Sequence, residues 1–239
     1  MPTIHRMENN QENIDTEFDD QPTLDPPGSI AVIGGGPLGL EAAIYGRYLG
    51  YQVTLFEAEC VASVLIGREG EPIPISPDRC VSPVSRSALT AQSGAIGPAT
   101  SPTTVGEWLD QVWRPLAATD LLRGRVHEGA KVERIEQVEL TDDETGEALP
   151  PDFRVHVSGH EGGDFEAIIV ATGHAGAEID CSFELPTDYY FRIGGLVPDV
   201  ETTGRDVERD FWTGLKEIVA VYASLGGRAD LDLYRPARG

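Results

Sequence analysis

The sequence has little positive charge. Its 18 lysine and arginine residues stand against 40 aspartate and glutamate residues, which gives a formal net charge of −22. Binding to a phosphate backbone or to anionic lipid requires clustered basic side chains. The composition therefore predicts no nucleic-acid partner and no membrane partner.

Cysteine is scarce, and long apolar runs are absent. The three cysteines form no Cys-x-x-Cys pair, and the five histidines show no metal-ligand spacing. The cysteine spacing argues against a redox disulfide and a cysteine-ligated zinc site. The histidine spacing likewise predicts no metal site. No run reaches the roughly 18 apolar residues that a membrane span needs, and no secretory signal pattern opens the chain. We therefore expect a reducing, cytoplasmic location.

Residues 1–28 are predicted to be a disordered acidic tail. They carry seven acidic side chains against one arginine and few large apolar groups, so burial would not compensate the entropy lost on ordering. An acidic arm that binds a partner is the alternative. Pro26, Pro27 and Gly28 mark the boundary, and residues 29–239 are predicted to form a single domain.

The domain opens with a strand–helix–strand pattern. Residues 29–33 and 52–56 are short apolar runs typical of buried parallel strands, and residues 37–49 between them are helix-like. A further apolar strand follows at residues 167–170. The predicted fold class is α/β, with a parallel sheet and helices of Rossmann type.

The remaining segments are less regular. Residues 61–103 show no sustained periodicity and are predicted to be a long connection. A capping box at Thr104 and Glu107 predicts a helix that buries Trp108 and Trp113 in the core. Strands within residues 130–165 predict a small antiparallel three-stranded layer. An amphipathic pattern over residues 211–225 predicts the last helix.

A Gly-x-Gly-x-x-Gly motif lies between the first strand and its helix. It comprises Gly34, Gly35, Gly36, Pro37, Leu38 and Gly39. In this context Gly34 permits a tight turn, Gly36 lets a pyrophosphate approach the backbone, and Gly39 lets helix and strand pack closely. The free amides of the helix bind phosphate without a lysine, and Pro37 is tolerated in the first turn.

Glu57 stands at the end of the second strand, 23 residues after Gly34. At this position a carboxylate accepts hydrogen bonds from the hydroxyls of an adenosine ribose. It would repel the additional phosphate of NADP, so the site favours FAD or NAD. The alternative is that the glycines serve only the turn of a strand–helix–strand unit.

Three segments of the sequence resemble a known protein family. Residues 30–57, the Ala-Thr-Gly segment 171–173 and the stretch 189–234 are similar to the FAD-binding domain of two-dinucleotide-binding-domain flavoproteins. These include thioredoxin-reductase-like and flavin-monooxygenase-like oxidoreductases. The resemblance implies FAD as the cofactor. It also implies close passage of the chain past FAD at Ala171, Thr172, Gly173, Gly194 and Gly195.

Three features depart from that family. The family inserts a second glycine-motif domain for NAD(P)H, but Tyr189 follows Gly173 by only sixteen positions and no second motif occurs. The NAD(P)H domain is therefore missing. The family's last strand commonly ends in Gly-Asp, whereas this chain has Gly194 and Gly195. Arg68 is the nearest basic residue after Glu57, where the family often has one near the pyrophosphate.

The function expected from these features is that of an FAD-dependent oxidoreductase-like flavoprotein with a small-molecule substrate or a redox partner. No catalytic residue can be assigned, although His174 follows the Ala-Thr-Gly segment and is a candidate proton donor. The alternative is a non-catalytic dinucleotide-binding or interaction protein descended from such an enzyme. The late Ala-Thr-Gly segment disfavours a dehydrogenase that uses NAD alone.

Overall fold

The computed structural model describes residues 23–93, 101–142, 144–159, 162–173, 179–194 and 206–235. The strands are β1 Ser29–Ile33, β2 Gln52–Phe56, β3 Val126–His127, β4 Val132–Thr141, β5 Ala148–Val157, β6 Gly163–Phe165, β7 Ala167–Val170, β8 Asp180–Cys181 and β9 Tyr190–Arg192. The α-helices are α1 Pro37–Leu49, α2 Pro83–Ser93, α3 Val105–Trp108, α4 Arg114–Ala117 and α5 Val207–Leu225.

The main sheet is parallel throughout, with strand order β3-β2-β1-β7-β9. Its central strands bury nearly every side chain. Helix α1 packs against β1 and β2, and Phe165 of β6 in the second sheet packs edge to face on Phe56 of β2. The chain passes from β1 through α1 to β2 on one side, while β7 pairs with β1 on the other. A doubly wound sheet binds ligands at such a switch point, outside the carboxyl ends of its strands. The predicted α/β fold class is confirmed.

The second sheet has four strands in the order β6-β5-β4-β8. Strands β4, β5 and β6 pair antiparallel, as predicted for residues 130–165. The predicted three-stranded layer was incomplete, because β8 adds a parallel edge strand to β4. Strand β8 is only two residues long, so it has no alternation that a sequence pattern could reveal.

Helix α2 lies inside the segment predicted to be an irregular connection. Ser82 caps it: its Oγ accepts a hydrogen bond from the Ser85 amide at 3.0 Å, and Pro83 begins the helix. Val84 and Ala88 are buried on the side of α2 that faces the core. The prediction failed because the buried stripe of α2 is short and includes serines as well as apolar side chains.

The tryptophans of the α3–α4 region are buried, as predicted. Thr104 and Glu107 form the predicted capping box. Between α3 and α4 the chain makes a π-helical turn, Leu109–Trp113. Trp108 and Trp113 pack edge to face, and the indole nitrogen of Trp108 donates to the carbonyl of Cys80 at 2.9 Å. Both rings are therefore structural.

Helix α5 packs closely against α1. A Cβ placed on Gly46 would lie 2.3 Å from the hydroxyl of Tyr222, so only glycine allows this approach. That hydroxyl donates to the carbonyl of Ala42 at 2.9 Å. The contact ties the C-terminal half of the last helix to the first helix, while Gly214 in its N-terminal half lies against Leu38 in the first turn of α1. None of the helices in the described ranges has the length and apolar character that crossing a membrane requires.

The predicted boundary of the N-terminal tail lies too far along the chain. Residues 1–22 are outside the described residues, but Leu24 is buried and its amide donates to the carbonyl of Leu225 at 2.7 Å. The hydroxyl of Tyr51 donates to the carbonyl of Leu24, also at 2.7 Å. Residues 23–28 are therefore part of the folded domain, held by one apolar side chain within an otherwise polar segment.

Replacing Leu24 by alanine should lower the free energy of unfolding by about 2 kcal/mol, since a buried leucine loses both transfer energy and packing. Chemical denaturation measures this directly. Leu149→Ala is the control, because Leu149 is 45% exposed. Equal denaturation midpoints for Leu24→Ala and the unchanged protein would contradict the packing of this segment.

Helix α1 buries a carboxyl group. Glu41 is fully buried, and its Oε2 accepts a hydrogen bond from Ser82 Oγ at 2.6 Å. Its Oε1, the Ser85 hydroxyl and the Tyr234 hydroxyl have no hydrogen-bond partner among the described residues. Burial raises the pKa of Glu41 from its ordinary value of 4.5 to about 7, and the hydrogen bond from Ser82 opposes this only in part. Glu41 is therefore largely protonated in the folded protein below neutral pH.

Stability should therefore fall as the pH rises through this range. The folded state binds the Glu41 proton more tightly than the unfolded state, so the contribution is fully present below pH 4.5 and is lost by about pH 7. The loss amounts to roughly 3 kcal/mol. Glu41→Gln keeps the side chain neutral and should flatten this part of the profile. Unfolding measured at several pH values tests it; parallel profiles for the two proteins would contradict it.

Candidate dinucleotide-binding site

The glycine motif forms the turn between β1 and α1, at the carboxyl edge of the parallel sheet. The ends of β2, β7 and β9 reach the same edge. Most of the predicted site residues meet there because carboxyl ends of parallel strands share one edge. Gly195 and His174 lie outside the described residues.

Close packing restricts three of the glycines in the turn, Gly34, Gly35 and Gly39; a Cβ on Gly35 would lie 2.8 Å from Glu57 Cβ. Gly34 has φ +107°, and a Cβ on it would lie 2.7 Å from the carbonyl oxygen of Ala171. A Cβ on Gly39 would lie 1.8 Å from the carbonyl oxygen of Gly34. Any side chain at either position would push α1 away from the sheet. These contacts give Gly34 and Gly39 the roles that the motif predicts.

Gly36 differs from them, because a Cβ on it would meet nothing within 4 Å. Gly36 is the N-cap of α1 and has extended backbone angles that other residues adopt, so neither strain nor crowding requires glycine here. What glycine provides is open space directly in front of a helix N-terminus. That space is where a pyrophosphate approaches the backbone in this type of turn.

The first turn of α1 leaves donors facing this space. The amides of Gly36, Leu38 and Gly39 precede the first intrahelical hydrogen bond, which runs from Leu40 to Gly36 at 3.0 Å, and Pro37 has no amide hydrogen. Among the described side chains, none accepts a hydrogen bond from these amides. Unpaired amides and the positive end of the helix dipole together favour an anion. The turn therefore fits the phosphates of a dinucleotide.

Glu57 lies beside the turn, as its spacing predicts. Its Oε2 accepts a hydrogen bond from the Gly35 amide at 2.5 Å, and its Oε1 accepts from the Glu59 amide at 2.9 Å. The Ser63 hydroxyl adds a longer contact to Oε1 at 3.4 Å. The side chain is fixed from both sides, and the residue is 8% exposed.

These contacts limit what Glu57 can bind. A carboxylate offers about four acceptor positions, and protein donors use three of them. One position remains for a ligand hydroxyl in this conformation, rather than the two that a ribose diol would use. The contact from Ser63 is the longest of the three and would be the first that a second hydroxyl replaces.

The Ala-Thr-Gly segment runs alongside the turn. Ala171 donates its amide to the carbonyl of Ile33 at 2.7 Å, which extends the pairing of β7 with β1 past the strand end. Its carbonyl then contacts Gly34. Thr172 and Gly173 follow towards solvent, and Gly173 has φ +65°. The segment therefore forms one wall of the space next to the turn.

Gly194 brings the end of β9 to the same place. A Cβ on Gly194 would lie 2.9 Å from Leu38 Cδ1, and Gly214 of α5 approaches the same methyl group even more closely. The amide of Gly194 donates to Glu217 Oε2 at 2.7 Å. Leu38 is thus the apolar contact that joins the turn, the end of β9 and helix α5.

Sequence reasoning missed Glu217. It is on the partly polar side of α5, and its partner Gly194 is 23 residues away, so no local pattern connects the two. Glu41 carried a visible signal, since a carboxylate interrupts the apolar run of α1 directly after the motif. Its partner Ser82 is found only through the packing of α1 against α2.

Ser82, His127 and Cys80 do not form an activated nucleophile. The Ser82 hydroxyl is buried and donates to Glu41, while His127 stacks on Phe56 with 5.5 Å between ring centroids. Burial raises the pKa of the Cys80 thiol to about 11, so this thiol is neutral at physiological pH. Ser82 and His127 therefore do not take part in a Ser-His-Asp triad, and Cys80 is not a thiolate nucleophile.

No protein-family model matches the chain, and no curated protein sequence matches it. Similar solved structures include a steroid monooxygenase bound to NADP, with 21% identity and a TM-score of 0.44 over 61% of this chain and 26% of that one. A cyclohexanone monooxygenase gives 18% identity and a TM-score of 0.45 over 64% and 26%. The bacillithiol disulfide reductase of Bacillus cereus gives 20% and 0.42 over 61% and 40%.

This chain therefore spans about a quarter of the length of the two monooxygenases and two fifths of the reductase. At these identities and scores the likeness does not extend to a ligand or a reaction.

Proposed function

We propose that this protein binds FAD through the β1–α1 turn and acts as an FAD-dependent oxidoreductase-like flavoprotein. The observation that carries the proposal is the open space at Gly36, which faces unpaired amides of α1 between two glycines that admit no side chain. A turn that served packing alone would need Gly34 and Gly39 but would tolerate a side chain at the middle position.

The other residues at this edge support the same assignment. Glu57 would accept a hydroxyl of the adenosine ribose at its remaining acceptor position. Residues 171–173 and Gly194 would border the path of the cofactor away from the phosphates. FAD is favoured over NAD alone because the resemblance to flavoproteins extends to these two later segments, and the acid at Glu57 disfavours NADP.

When bound, the flavin would supply the redox chemistry, and the chain would bind and orient it. No second glycine motif occurs in this sequence, so we propose that electrons come from the substrate, a redox partner or freely diffusing NAD(P)H. The proposal includes a cytoplasmic location, since none of the three cysteines forms a disulfide.

The second candidate is a dinucleotide-binding protein without turnover. It is favoured by a specific observation: the two carboxylates described at this edge of the sheet both accept hydrogen bonds from backbone amides. Glu57 is occupied by protein donors, and Glu217 accepts from Gly194.

Replacing Gly36 by valine should abolish FAD uptake while leaving the fold intact. The new side chain would fill the space of the phosphates, and each charge-assisted hydrogen bond that it removes is worth about 1.5–3 kcal/mol, or at least about tenfold in affinity. Titration with FAD, followed by fluorescence, measures this. Thermal unfolding should be little changed because the backbone of Gly36 suits other residues.

Gly70→Val is the matched control. Gly70 also has open space around it and no positive φ, but it lies in an exposed loop outside the glycine motif. Its variant should bind FAD like the unchanged protein. Equal FAD affinity for the two valine variants would contradict the proposed site.

Reduction of bound FAD distinguishes an FAD-dependent oxidoreductase from a dinucleotide-binding protein without turnover. NADH or NADPH, added without oxygen to FAD-loaded protein, should bleach the visible flavin absorption, and oxygen should restore it. If neither donor changes the spectrum, freely diffusing NAD(P)H is excluded as the electron source, and the result favours the non-catalytic candidate.

A further inference from the structure

A cavity of about 660 Å³ lies outside the dinucleotide-binding site. Its walls are the loop before α2, the outward side of α2 and Trp212 of α5. Its volume falls within the roughly 300–1,000 Å³ of small-molecule pockets. The motif glycines, Glu57 and the segment 171–173 do not line it, so it is separate from the proposed FAD site.

One wall of the cavity is held rigidly. The guanidinium carbon of Arg79 lies 4.9 Å from the ring centroid of Trp212, a cation–π geometry. Arg79 Nη1 also donates to Glu208 Oε1 at 2.6 Å, and Glu208 Oε2 accepts from the amide and hydroxyl of Ser76. Arg79 thus has a fixed orientation while most of its five N–H donors remain unused.

The second cationic group of the cavity is unpaired. Arg86 lies on α2, and within the described ranges no carboxylate oxygen comes within 4 Å of its guanidinium. Among the described residues, the exposed arginines Arg192, Arg209 and Arg228 also lack an ion pair, but they do not line this cavity. The cavity lining contains two arginines and only one acidic residue, Asp78, so its charge balance is opposite to that of the chain.

The aromatic wall also has an unused donor. The indole nitrogen of Trp212 is buried and has no hydrogen-bond partner in the part of the chain that the structure describes. An indole N–H is a donor only. This nitrogen is covered by protein, so Trp212 offers the cavity its ring and not its N–H group.

We propose that this cavity binds an organic carboxylate with an apolar, preferably aromatic, body. The carboxylate would pair with Arg86, whose fork of N–H donors matches its two oxygens. The body would lie against Trp212 and the apolar side chains of Val81 and Ala91. A singly charged carboxylate balances one unpaired guanidinium, whereas a doubly charged phosphate would also face Asp78.

Benzoate is a suitable probe, with benzyl alcohol as its uncharged counterpart. Binding is followed by tryptophan fluorescence, because Trp212 is at the cavity while Trp108 and Trp113 are buried in the core. Benzoate should bind saturably and benzyl alcohol should bind at least about tenfold more weakly, since it lacks the charge that Arg86 pairs. Added salt should weaken benzoate binding.

Arg86→Gln should weaken benzoate binding at least about tenfold. Arg123→Gln is the control, because Arg123 is also an exposed arginine but lies outside the cavity. Isothermal titration calorimetry supplies a second readout that does not depend on fluorescence. The proposal is overturned if benzoate shows no saturable binding, if it binds no better than benzyl alcohol, or if both arginine variants behave alike.

The titration is run with and without FAD. Equal benzoate affinity in both conditions is expected, because the two sites share no lining residue. Competition between benzoate and FAD would overturn the separation of the sites. A protein that binds benzoate but not FAD would refute the proposed function and leave this inference standing.

Discussion

The contact between the Gly34 carbonyl and helix α1 is the constraint on which the rest of the site depends. A Cβ at Gly39 would lie 1.8 Å from that carbonyl oxygen, so strand and helix meet without an intervening side chain. The same turn lies against Ala171 on its other side. Because both contacts are tight, the N-terminus of α1 is held at the centre of the carboxyl edge, where β1 lies between β2 and β7. The space at Gly36 exists only because this geometry is fixed.

Local arrangement of donors, rather than overall charge, determines where an anion can bind in this acidic protein. The amides of α1 present partial positive charge without any basic side chain. The Glu57 carboxylate accepts a hydrogen bond from the Gly35 amide, which stiffens the turn. Arg86 provides a second local region of positive charge in this chain of net charge −22. It lies in a cavity that none of the turn residues lines.

The elements that the sequence predicted best are those with strong local rules. Strands β1 and β2, helix α1 and the capping box at Thr104 follow from apolar runs, glycine positions and side-chain caps. Helix α2 could have been recognised from Ser82 followed by Pro83, a cap and first-turn pair. Strand β8 and the packing of Leu24 could not, because both depend on partners far away in the chain. The hydrogen bonds of Glu217 with Gly194 and of Glu41 with Ser82 could not be predicted for the same reason.

Backbone amide chemical shifts, followed by NMR during a titration with FAD, test the central claim most directly. The account predicts that the amides of Gly36, Leu38 and Gly39 shift together and most strongly, because they would donate to the phosphates. Amides around Arg86 and Trp212 should stay in place. Shifts confined to that second region, or no shift at the β1–α1 turn at saturating FAD, would contradict the account.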